Sequence, residues 1–275
     1  MRIISSALSN YWEFQKRKVE RNVKFKNIHK GETCIIFGNG ASLKYYDLNA
    51  IPQTVAISCS FGLLDRRFKN LNVKYNIFSD SYWFYPIVFN DYTDAIQKNY
   101  TDNIFKKIIS RNKKVEHFVS LTNSLSFLKR PSNVYYWHHF GLKDFSSVDL
   151  AGKFSTNSCA LDIMLGLARY MGFSKAVLLG CDYLCAPKME GHFYTNAVPV
   201  FGKDDTEYAK RVQKSVGDLD VLVVCPRGVK SNFFQSTSFE EYFGVTEIYQ
   251  PNNEIIEMAD LALLQKAADK KLLWV

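Results

Sequence analysis

Residues able to hold an anion follow the first strong apolar run of the chain, TCIIF. Gly38, Asn39 and Gly40 come directly after this run, and Ser42 lies two residues further on. Glycines after a buried strand let backbone amides converge on an anion, while serine and asparagine side chains can contact a phosphate or a ribose. The Gly-Lys-Ser/Thr of a Walker loop and the third glycine of the Rossmann fingerprint are both absent. We predict an anion-binding turn here, with a plain tight turn as the alternative.

A second group of reactive side chains follows the run KAVLLG. Asp182 comes two residues after this run, and His192 and Tyr194 follow on a predicted loop. A carboxylate after a strand lies at the carboxyl edge of an α/β sheet, where ligands bind. Histidine can act as a general base near neutral pH, and tyrosine can hydrogen-bond a phosphate. The alternatives are a structural carboxylate for Asp182 and a surface loop residue for His192.

Polar side chains also cluster where a helix is predicted to begin. Thr156, Asn157 and Ser158 directly precede the apolar pattern of residues 159–171. They can cap the helix. The same N-terminus, with its free amides and positive dipole end, can hold a carboxylate or a phosphate. Both interpretations remain open from the sequence.

Basic and histidine pairs elsewhere give weaker signals. Arg227 and Lys230 follow the predicted strand 220–225 and can neutralise a diphosphate or a sugar carboxylate, with solvated charges as the alternative. His138 and His139 are adjacent, so their side chains point in different directions. Because no D-x-D motif follows a predicted strand either, we predict no obligatory metal.

The elements that must position these residues alternate between strands and helices. Strands are predicted at 33–38, 54–59, 75–79, 115–121, 133–137, 175–182 and 220–225, and helices at 158–171, 205–215 and 254–272. This alternation, with continuous apolar strands, predicts an α/β fold: a Rossmann-like, mostly parallel sheet with helices on both faces. Residues 82–148 are aromatic and irregular, which favours an inserted subdomain or lid.

Three segments are expected along the chain. Residues 1–30 form a basic N-terminal segment, residues 31–250 an α/β domain with the lid region, and residues 251–275 a C-terminal amphipathic helix. The apolar side of that helix can pack on its own core or on a second copy of the chain, so a homo-oligomer stays open.

Composition bounds the class of protein and of partner. The chain has 275 residues, of which 47% are hydrophobic and 15% aromatic, which excludes a disordered tail, a collagen-like fibre and a small disulfide scaffold. The net charge of +8 indicates an anionic partner: nucleic acid, a membrane surface or a phosphorylated small molecule.

The distribution of cysteines and basic residues indicates where the protein works. Most of the six cysteines lie in apolar runs, which is typical of reduced, buried thiols in a cytoplasmic protein. No run approaches the ~18 apolar residues of a membrane span. The basic run 16–30 can lie on an anionic membrane surface, or it can be the solvated face of a helix.

Taken in order, these segments resemble the bacterial sialyltransferases that extend lipo-oligosaccharides. They also resemble the related motility accessory factors and hydroxymethylpterin pyrophosphokinase-like proteins. The motifs that carry the resemblance are GNGASL, the pair Cys59-Ser60, the triplet Phe78 to Asp80, the Ser-Thr-Asn helix start, MGFSKAVLLGCDY and VLVVCPRGVKSNF. Together they cover most of residues 32–234.

The resemblance implies a Rossmann-like, GT-A-like sheet with a lid, and a CMP-linked sialic acid bound without a metal. It implies that Asn39 and Gly40 contact the donor phosphate. Ser60 and Asp80 would line the cytidine or donor-sugar side, where the family prefers asparagine. The sequence itself shows serine and aspartate at these two positions.

The resemblance also assigns the remaining site residues. Thr156, Asn157 and Ser158 would meet the sugar carboxylate or the phosphate, and Tyr194 would assist phosphate departure. The family's general-base histidine aligns with Lys203 in this sequence, so we expect His192 to act as the base in its place.

The expected function is therefore a metal-independent, inverting glycosyltransferase. It would transfer a sialic acid-like nonulosonate or a related keto-sugar from a CMP-activated donor to a surface glycan or glycolipid, of lipopolysaccharide or capsule, at the cytoplasmic face of a bacterial inner membrane. Three alternatives remain: pyrophosphoryl transfer to a pterin with Mg²⁺, a nucleic acid-binding protein, and a catalytically inactive protein of the same fold. The aromatic residues sit mainly in apolar runs, and no nucleic acid-binding signature occurs, which argues against nucleic acid.

Overall fold

The computed structural model describes residues 15–79, 84, 104–127, 129–138, 148–152, 154, 159–196 and 198–268. Ten strands lie in this part of the chain: β1 (Thr33–Phe37), β2 (Ala56–Cys59), β3 (Val73–Phe78), β4 (Glu116–Ser120), β5 (Val134–Trp137), β6 (Lys175–Leu179), β7 (Lys188–Met189), β8 (Phe201–Gly202), β9 (Asp220–Cys225) and β10 (Gln235–Ser238). Eight form one sheet in the order β10-β9-β6-β1-β2-β3-β4-β5, and every neighbouring pair is parallel. Strands β7 and β8 form a separate antiparallel hairpin.

Helices cover both faces of this sheet. They are α1 (Ile104–Arg111), α2 (Ala160–Met171), α3 (Thr206–Val216), α4 (Phe239–Phe243), α5 (Asn252–Ile255) and α6 (Met258–Ala268), and residues 15–20 are also helical. One apolar cluster contains residues of α2 and α3, and the other contains residues of α1 and α6. The predicted α/β fold, with a parallel Rossmann-like sheet and helices on both faces, is confirmed.

Local sequence explains where α2 begins and ends. Ten of its twelve residues are buried, as expected for a helix between a parallel sheet and an outer helix. Gly172 follows the last turn with φ +84°, a left-handed conformation that glycine adopts at little cost. The chain then enters β6, so the N-terminus of α2 lies at the opposite, carboxyl edge of the sheet.

The order of the strands creates a crevice between β1 and β6. From β1 the sheet grows outward through β2, β3, β4 and β5, after which the chain returns so that β6 pairs with the other side of β1. The connection after β1 therefore leads to one side of the sheet, toward β2, and the connection after β6 leads to the other side, toward β9. In open parallel sheets, ligands bind outside the carboxyl ends of the strands at such a switch point.

Two predicted segments differ from the structure. Within the lid region 82–148, the strands predicted at 115–121 and 133–137 are confirmed as β4 and β5, whereas the helix α1 at residues 104–111 was not predicted; residues 85–103 and 139–147 lie outside the described part. The C-terminal helix predicted over 254–272 is two helices, α5 and α6. Ile256 breaks it, since this residue bridges antiparallel to Asp65. None of the described helices is long and apolar enough to cross a membrane.

The basic N-terminal segment is docked onto the fold. The Asn22 side chain donates hydrogen bonds to the carbonyls of Tyr136 and Leu150, at 2.6 and 2.9 Å. Further along, the amides of residues 27, 29 and 31 bond to the carbonyls at the end of α2. Because α2 ends and β1 begins at the amino edge of the sheet, this part of the segment lies opposite the crevice.

Candidate functional site

The carboxyl ends of β1 and β6 approach each other so closely that only glycine fits. The amide of Gly38 donates to the Leu179 carbonyl and that of Gly40 to the Gly180 carbonyl, both at 2.8 Å. A Cβ atom on Gly38 would lie 2.2 Å from the Gly180 carbonyl oxygen, and one on Gly40 would lie 2.5 Å from Cγ of Asp182. The two glycines are therefore needed for the close approach of β1 and β6. The Gly40 amide, expected to contact the donor phosphate, already donates to the Gly180 carbonyl.

Asp182 is a structural carboxylate at the same junction. Its side chain accepts hydrogen bonds from the amide of Ser42 at 2.8 Å and from the Ser42 hydroxyl at 2.5 Å. Burial raises the Asp182 pKa to about 6, and the hydrogen bonds from Ser42 and Ala41 oppose that shift. Asp182 and Ser42, both predicted to bind ligand, are instead bonded to each other and hold the turn against β6.

The loop that carries His192 and Tyr194 lies over this turn. His192 forms an antiparallel bridge with Gly40, and the amide of Phe193 donates to the Asn39 carbonyl at 3.1 Å. The buried ammonium of Lys44 donates to the Thr195 carbonyl at 2.6 Å and so ties the end of the loop to the turn. Sequence analysis missed Lys44, because a lysine in a short polar stretch gives no sign that it is buried.

Two polar atoms at this place have no protein partner. They are Oδ1 of Asn39 and Nδ1 of His192, both buried and both without a hydrogen bond in the described part of the chain. Leaving a buried polar atom unpaired costs about 1–3 kcal/mol, so such atoms need an explanation. At a switch point, the explanation we favour is a ligand that supplies the missing hydrogen bonds.

The titration of His192 and Tyr194 suits acid–base chemistry. Their rings are stacked with centroids 5.0 Å apart, and Phe61 contacts the Tyr194 ring edge-on. Burial lowers the pKa of His192, with its contact to the Asn39 backbone opposing, so the imidazole is neutral at pH 7 and able to accept a proton. Burial, followed by the nearby Cys59 and Tyr183, raises the pKa of Tyr194, so its hydroxyl keeps its proton and can donate it in a hydrogen bond.

The ends of β2 and α2 complete the surroundings of the crevice. Ser60 follows β2, is buried, and has a positive φ of +45°, an unfavourable conformation for serine that is typical of constrained functional turns. Its amide donates to the Ile77 carbonyl at 2.8 Å. Burial, followed by the neighbouring thiol of Cys59, raises the pKa of Cys181, and Cys159 at the start of α2 contributes too. The N-terminus of α2 thus lies beside the junction.

The other predicted residues are not brought to the crevice by contacts in the structure. Lys203 is exposed, one residue after β8. Arg227 forms an ion pair with Glu240. Asp80 and residues 156–158 (Thr156, Asn157 and Ser158) lie outside the described residues.

Potential metal ligands do not cluster in the residues that the structure describes. No group of three or more His, Cys, Asp or Glu side chains is placed there to hold an ion. The nearest polar cluster to the crevice, Asp182 with Ser42, is saturated by its own hydrogen bonds.

Comparison with known proteins gives similarity in fold. No known family model matches this chain, and no curated protein sequence matches it. Among solved structures, the sialyltransferase CstII from Campylobacter jejuni in complex with cytidine-5'-monophosphate is 14% identical, with a TM-score of 0.43, and the match covers 86% of this chain and 99% of that one. The monofunctional alpha-2,3-sialyltransferase Cst-I from Campylobacter jejuni is 16% identical with a TM-score of 0.45, covering 88% and 96% of the two chains.

A third structure, of the sialyltransferase CST-II in complex with a trisaccharide acceptor and CMP, is 16% identical with a TM-score of 0.46. Here the match covers 86% of this chain and 99% of that chain. Similarity at this level of identity and TM-score does not assign an activity or a ligand. The function of this chain is therefore inferred from its own site.

Proposed function

We propose that this protein is a glycosyltransferase that transfers an acidic sugar, a sialic acid-like nonulosonate or a related keto-sugar, from a CMP-activated donor. The observation that carries the proposal is the pair of buried, unpartnered atoms, Asn39 Oδ1 and His192 Nδ1, at the switch point between β1 and β6. The ordered motifs that resemble the bacterial sialyltransferases support the choice of donor.

Asn39 is the residue best placed to contact the nucleotide part of the donor. Its backbone carbonyl is bonded to the His192 loop, while its side-chain oxygen has no partner. An amide oxygen accepts hydrogen bonds, which suits the hydroxyls of a ribose or the amino group of cytosine better than a phosphate. This places Asn39 on the nucleoside side of the donor.

The phosphate needs donors other than the Gly40 amide, which is already bonded to Gly180. The first amides of α2 have no partner within their own helix, and the helix dipole favours an anion there. Cys159 at the start of α2 lies close enough to Cys181 to influence its titration. We therefore assign the phosphate or the sugar carboxylate to this helix end.

His192 and Tyr194 have separate roles in the reaction: His192 accepts a proton, and Tyr194 donates a hydrogen bond. Neutral His192 takes the proton of the acceptor hydroxyl as its oxygen attacks the anomeric carbon, while the bond from that carbon to the phosphate oxygen breaks. The electron pair of that bond leaves with CMP, and the protonated Tyr194 hydroxyl stabilises the developing charge by a hydrogen bond. Attack and departure on opposite faces invert the anomeric centre.

These roles of the protein groups also explain why the proposed reaction needs no metal ion. Helix-end amides and the Tyr194 hydroxyl supply the stabilisation that a cation gives in metal-dependent transferases. Pyrophosphoryl transfer to a pterin would instead need carboxylates around Mg²⁺. In the described chain, the carboxylate nearest the crevice is Asp182, which is bonded to Ser42.

We further propose that the acceptor is a surface glycan or glycolipid of lipopolysaccharide or capsule, and that the protein works in the cytoplasm at the inner membrane. The support is the basic segment, whose cations surround two exposed apolar residues: Val23 is 62% exposed and Ile28 is 45% exposed. Basic residues with exposed apolar side chains favour an anionic membrane surface. Because residues 27–31 of this segment lie at the amino edge of the sheet, a bilayer bound there would leave the crevice at the carboxyl edge facing away from it, toward the growing end of a glycan.

The proposal is tested by release of CMP from CMP-sialic acid, with a sialic acid acceptor glycan and EDTA present. We expect turnover by the wild type and its loss, by at least about a hundredfold, in Asn39→Ala. Lys210→Gln, a change on the exposed face of α3, is the matched control and should keep the wild-type rate.

Two results would overturn the proposal. One is CMP release that requires added Mg²⁺. The other is an Asn39→Ala protein that is folded by circular dichroism and turns over donor at the wild-type rate, because the site would then lie elsewhere. Lys203→Gln and His192→Ala are measured in parallel. If Lys203→Gln loses turnover and His192→Ala keeps it, Lys203 is the base.

A further inference from the structure

A second cavity lies at the β4–β5 end of the molecule, away from the crevice. Its volume is about 670 Å³, and it is lined by α1, the end of the turn after β4 and the segment that leads into β5. Strands β4 and β5 are the third and fourth strands from β1, which puts this cleft roughly 15–20 Å from the proposed donor site at a strand spacing of about 4.8 Å. A ligand bound here is not the donor.

The basic residues in and just after α1 fall into two groups: some form ion pairs with a carboxylate of α6, and others line the cleft. Lys107 and Arg111 both reach the buried carboxylate of Asp260 in α6, each at 2.7 Å. Lys106 in α1 and Lys113 in the turn that follows it line the cleft instead. Lys129, in the segment that leads into β5, lines it as well.

These three cleft lysines, Lys106, Lys113 and Lys129, make no ion pair within the described residues, and no Asp or Glu lines the cavity. Between them lie apolar side chains, Ile109, Phe127 and Pro131. The cleft thus combines an uncompensated charge of about +3 with an apolar floor. A volume in this range suits a small molecule.

We propose that this cleft binds a phosphate ester that carries an apolar group. Lysine ammonium groups act as point charges and are common phosphate ligands, and three of them match the charge of about −2 on a phosphate monoester better than the single charge of a carboxylate. The phosphate lies among the three ammonium groups, and the apolar part lies on Ile109, Phe127 and Pro131. The occupant is a phosphorylated amphiphile, such as the phosphorylated end of a lipid.

The test is isothermal titration with three probes that separate charge from apolar contact. Hexyl phosphate carries both features, methyl phosphate carries the charge with almost no apolar part, and hexanol carries the apolar part without the charge. All titrations are run on the wild type and on the two variants described next, whose crevices are identical, so any binding in the crevice contributes equally to each. We expect hexyl phosphate to bind roughly tenfold more tightly than methyl phosphate, and hexanol not to bind.

The variant is Lys106→Gln with Lys113→Gln and Lys129→Gln. We expect it to bind hexyl phosphate roughly tenfold more weakly than the wild type, because three partly screened ion pairs are lost. The control removes the same charge elsewhere: Lys69→Gln with Lys210→Gln and Lys214→Gln. It should bind like the wild type.

Three results overturn the proposal: equal binding of hexyl and methyl phosphate, equal binding of hexyl phosphate and hexanol, or equal binding of hexyl phosphate by the two triple variants. All the substituted lysines are exposed, so both proteins should fold, which far-ultraviolet circular dichroism checks. The result does not depend on the glycosyltransferase proposal, since no turnover is measured.

Discussion

Asn39 and Ser42 lie three residues apart in one turn, yet they have different tasks. The backbone amide and the hydroxyl of Ser42 both donate to Asp182 and hold the turn against β6. The side-chain oxygen of Asn39 is buried without a partner. The hydrogen bonds of Ser42 are made within the fold, whereas the acceptor oxygen of Asn39 is available to a ligand, and only the structure separates the two cases.

His192 should determine how the rate falls at low pH, the acid limb of the pH–rate profile. We expect His192→Ala to lower kcat by a factor on the order of 10²–10⁴ with little change in KM, because a general base acts in the transition state. The wild-type rate should fall below a pKa that burial has lowered under 6.5, and this limb should vanish from the residual rate of the variant. Rates from pH 4.5 to 8 measure this; an unchanged acid limb in His192→Ala would assign it to another group.

Two buried groups far from each other give opposite dependences of stability on pH. Burial lowers the pKa of His117 from 6.5 to about 4, so this residue stabilises the fold above pH 6.5 and the contribution is lost as the pH falls toward 4. Burial raises the pKa of Asp182 from 3.8 to about 6, so its contribution is present at low pH and is lost as the pH rises from about 4 to 6. Each shift corresponds to about 3 kcal/mol at most.

Replacing each group should therefore change the free energy of unfolding in opposite directions. Relative to the wild type, His117→Gln should gain stability as the pH is lowered from 7 to 4.5, since no imidazole has to stay neutral. Asp182→Asn should lose stability over the same range, because only the wild type gains from protonation there. Urea unfolding at pH 7, 6, 5 and 4.5 gives both trends; parallel curves for the three proteins would contradict the assignments.

At the scale of elements, the turn after β1 fixes how closely β1 and β6 approach. Gly38→Ala should lower the free energy of unfolding by about 3 kcal/mol, because the new Cβ would meet the Gly180 carbonyl at 2.2 Å. Gly31→Ala is the control: Gly31 has φ +80° and no atom within 4 Å of an added Cβ, so it should cost only about 1 kcal/mol. Equal losses in the two variants would mean that the close approach at Gly38 costs no more than the left-handed conformation at Gly31, which would contradict this assignment.

Strands were easier to predict than the surfaces they create. The apolar runs at 33–38 and 220–225 became β1 and β9 within one residue, because a strand buried on both faces needs continuous apolar residues. Strand β10 (Gln235–Ser238) was missed, since an edge strand of polar residues has no such pattern. Helix α1 was missed because it lies in an aromatic region with few turn residues, which favoured a lid.

The site was predicted in part. The carboxyl ends of β1 and β6 were identified as its place, and the structure brings Gly38, Asn39, Gly40 and His192 together there. A structural carboxylate was the alternative for Asp182 from the sequence, but its pairing with Ser42 was not predictable, because the two residues are 140 positions apart. Lys44 was missed for the same reason, since its partner Thr195 is equally remote in sequence.

At the scale of the whole molecule, the end of the basic segment, residues 27–31, and the crevice lie at opposite edges of the sheet. Five-residue strands separate the two edges by about 17 Å. Deleting residues 1–30 would not be a clean test of membrane binding, because Asn22 and Phe25 are buried in the fold. Exposed charges of the segment can be changed instead without disturbing these contacts.

We expect Arg17→Gln with Arg21→Gln and Lys26→Gln to lose most of the binding to phosphatidylglycerol vesicles. Each basic residue near an anionic surface contributes about 1 kcal/mol. The triple variant at Lys69, Lys210 and Lys214 is the charge-matched control and should bind like the wild type. Vesicle sedimentation measures this, with phosphatidylcholine as the neutral surface; equal binding by the two triple variants would exclude the segment as the contact.

The most direct test of the central claim is the thermal stability of the protein with single nucleotides, measured with and without EDTA. A ligand that binds only the folded state raises Tm in proportion to its affinity and concentration. The account predicts that CMP raises Tm of the wild type, that EDTA does not change the shift, and that Asn39→Ala abolishes it. Stabilisation by ATP with Mg²⁺ and not by CMP would contradict the account and favour pyrophosphoryl transfer.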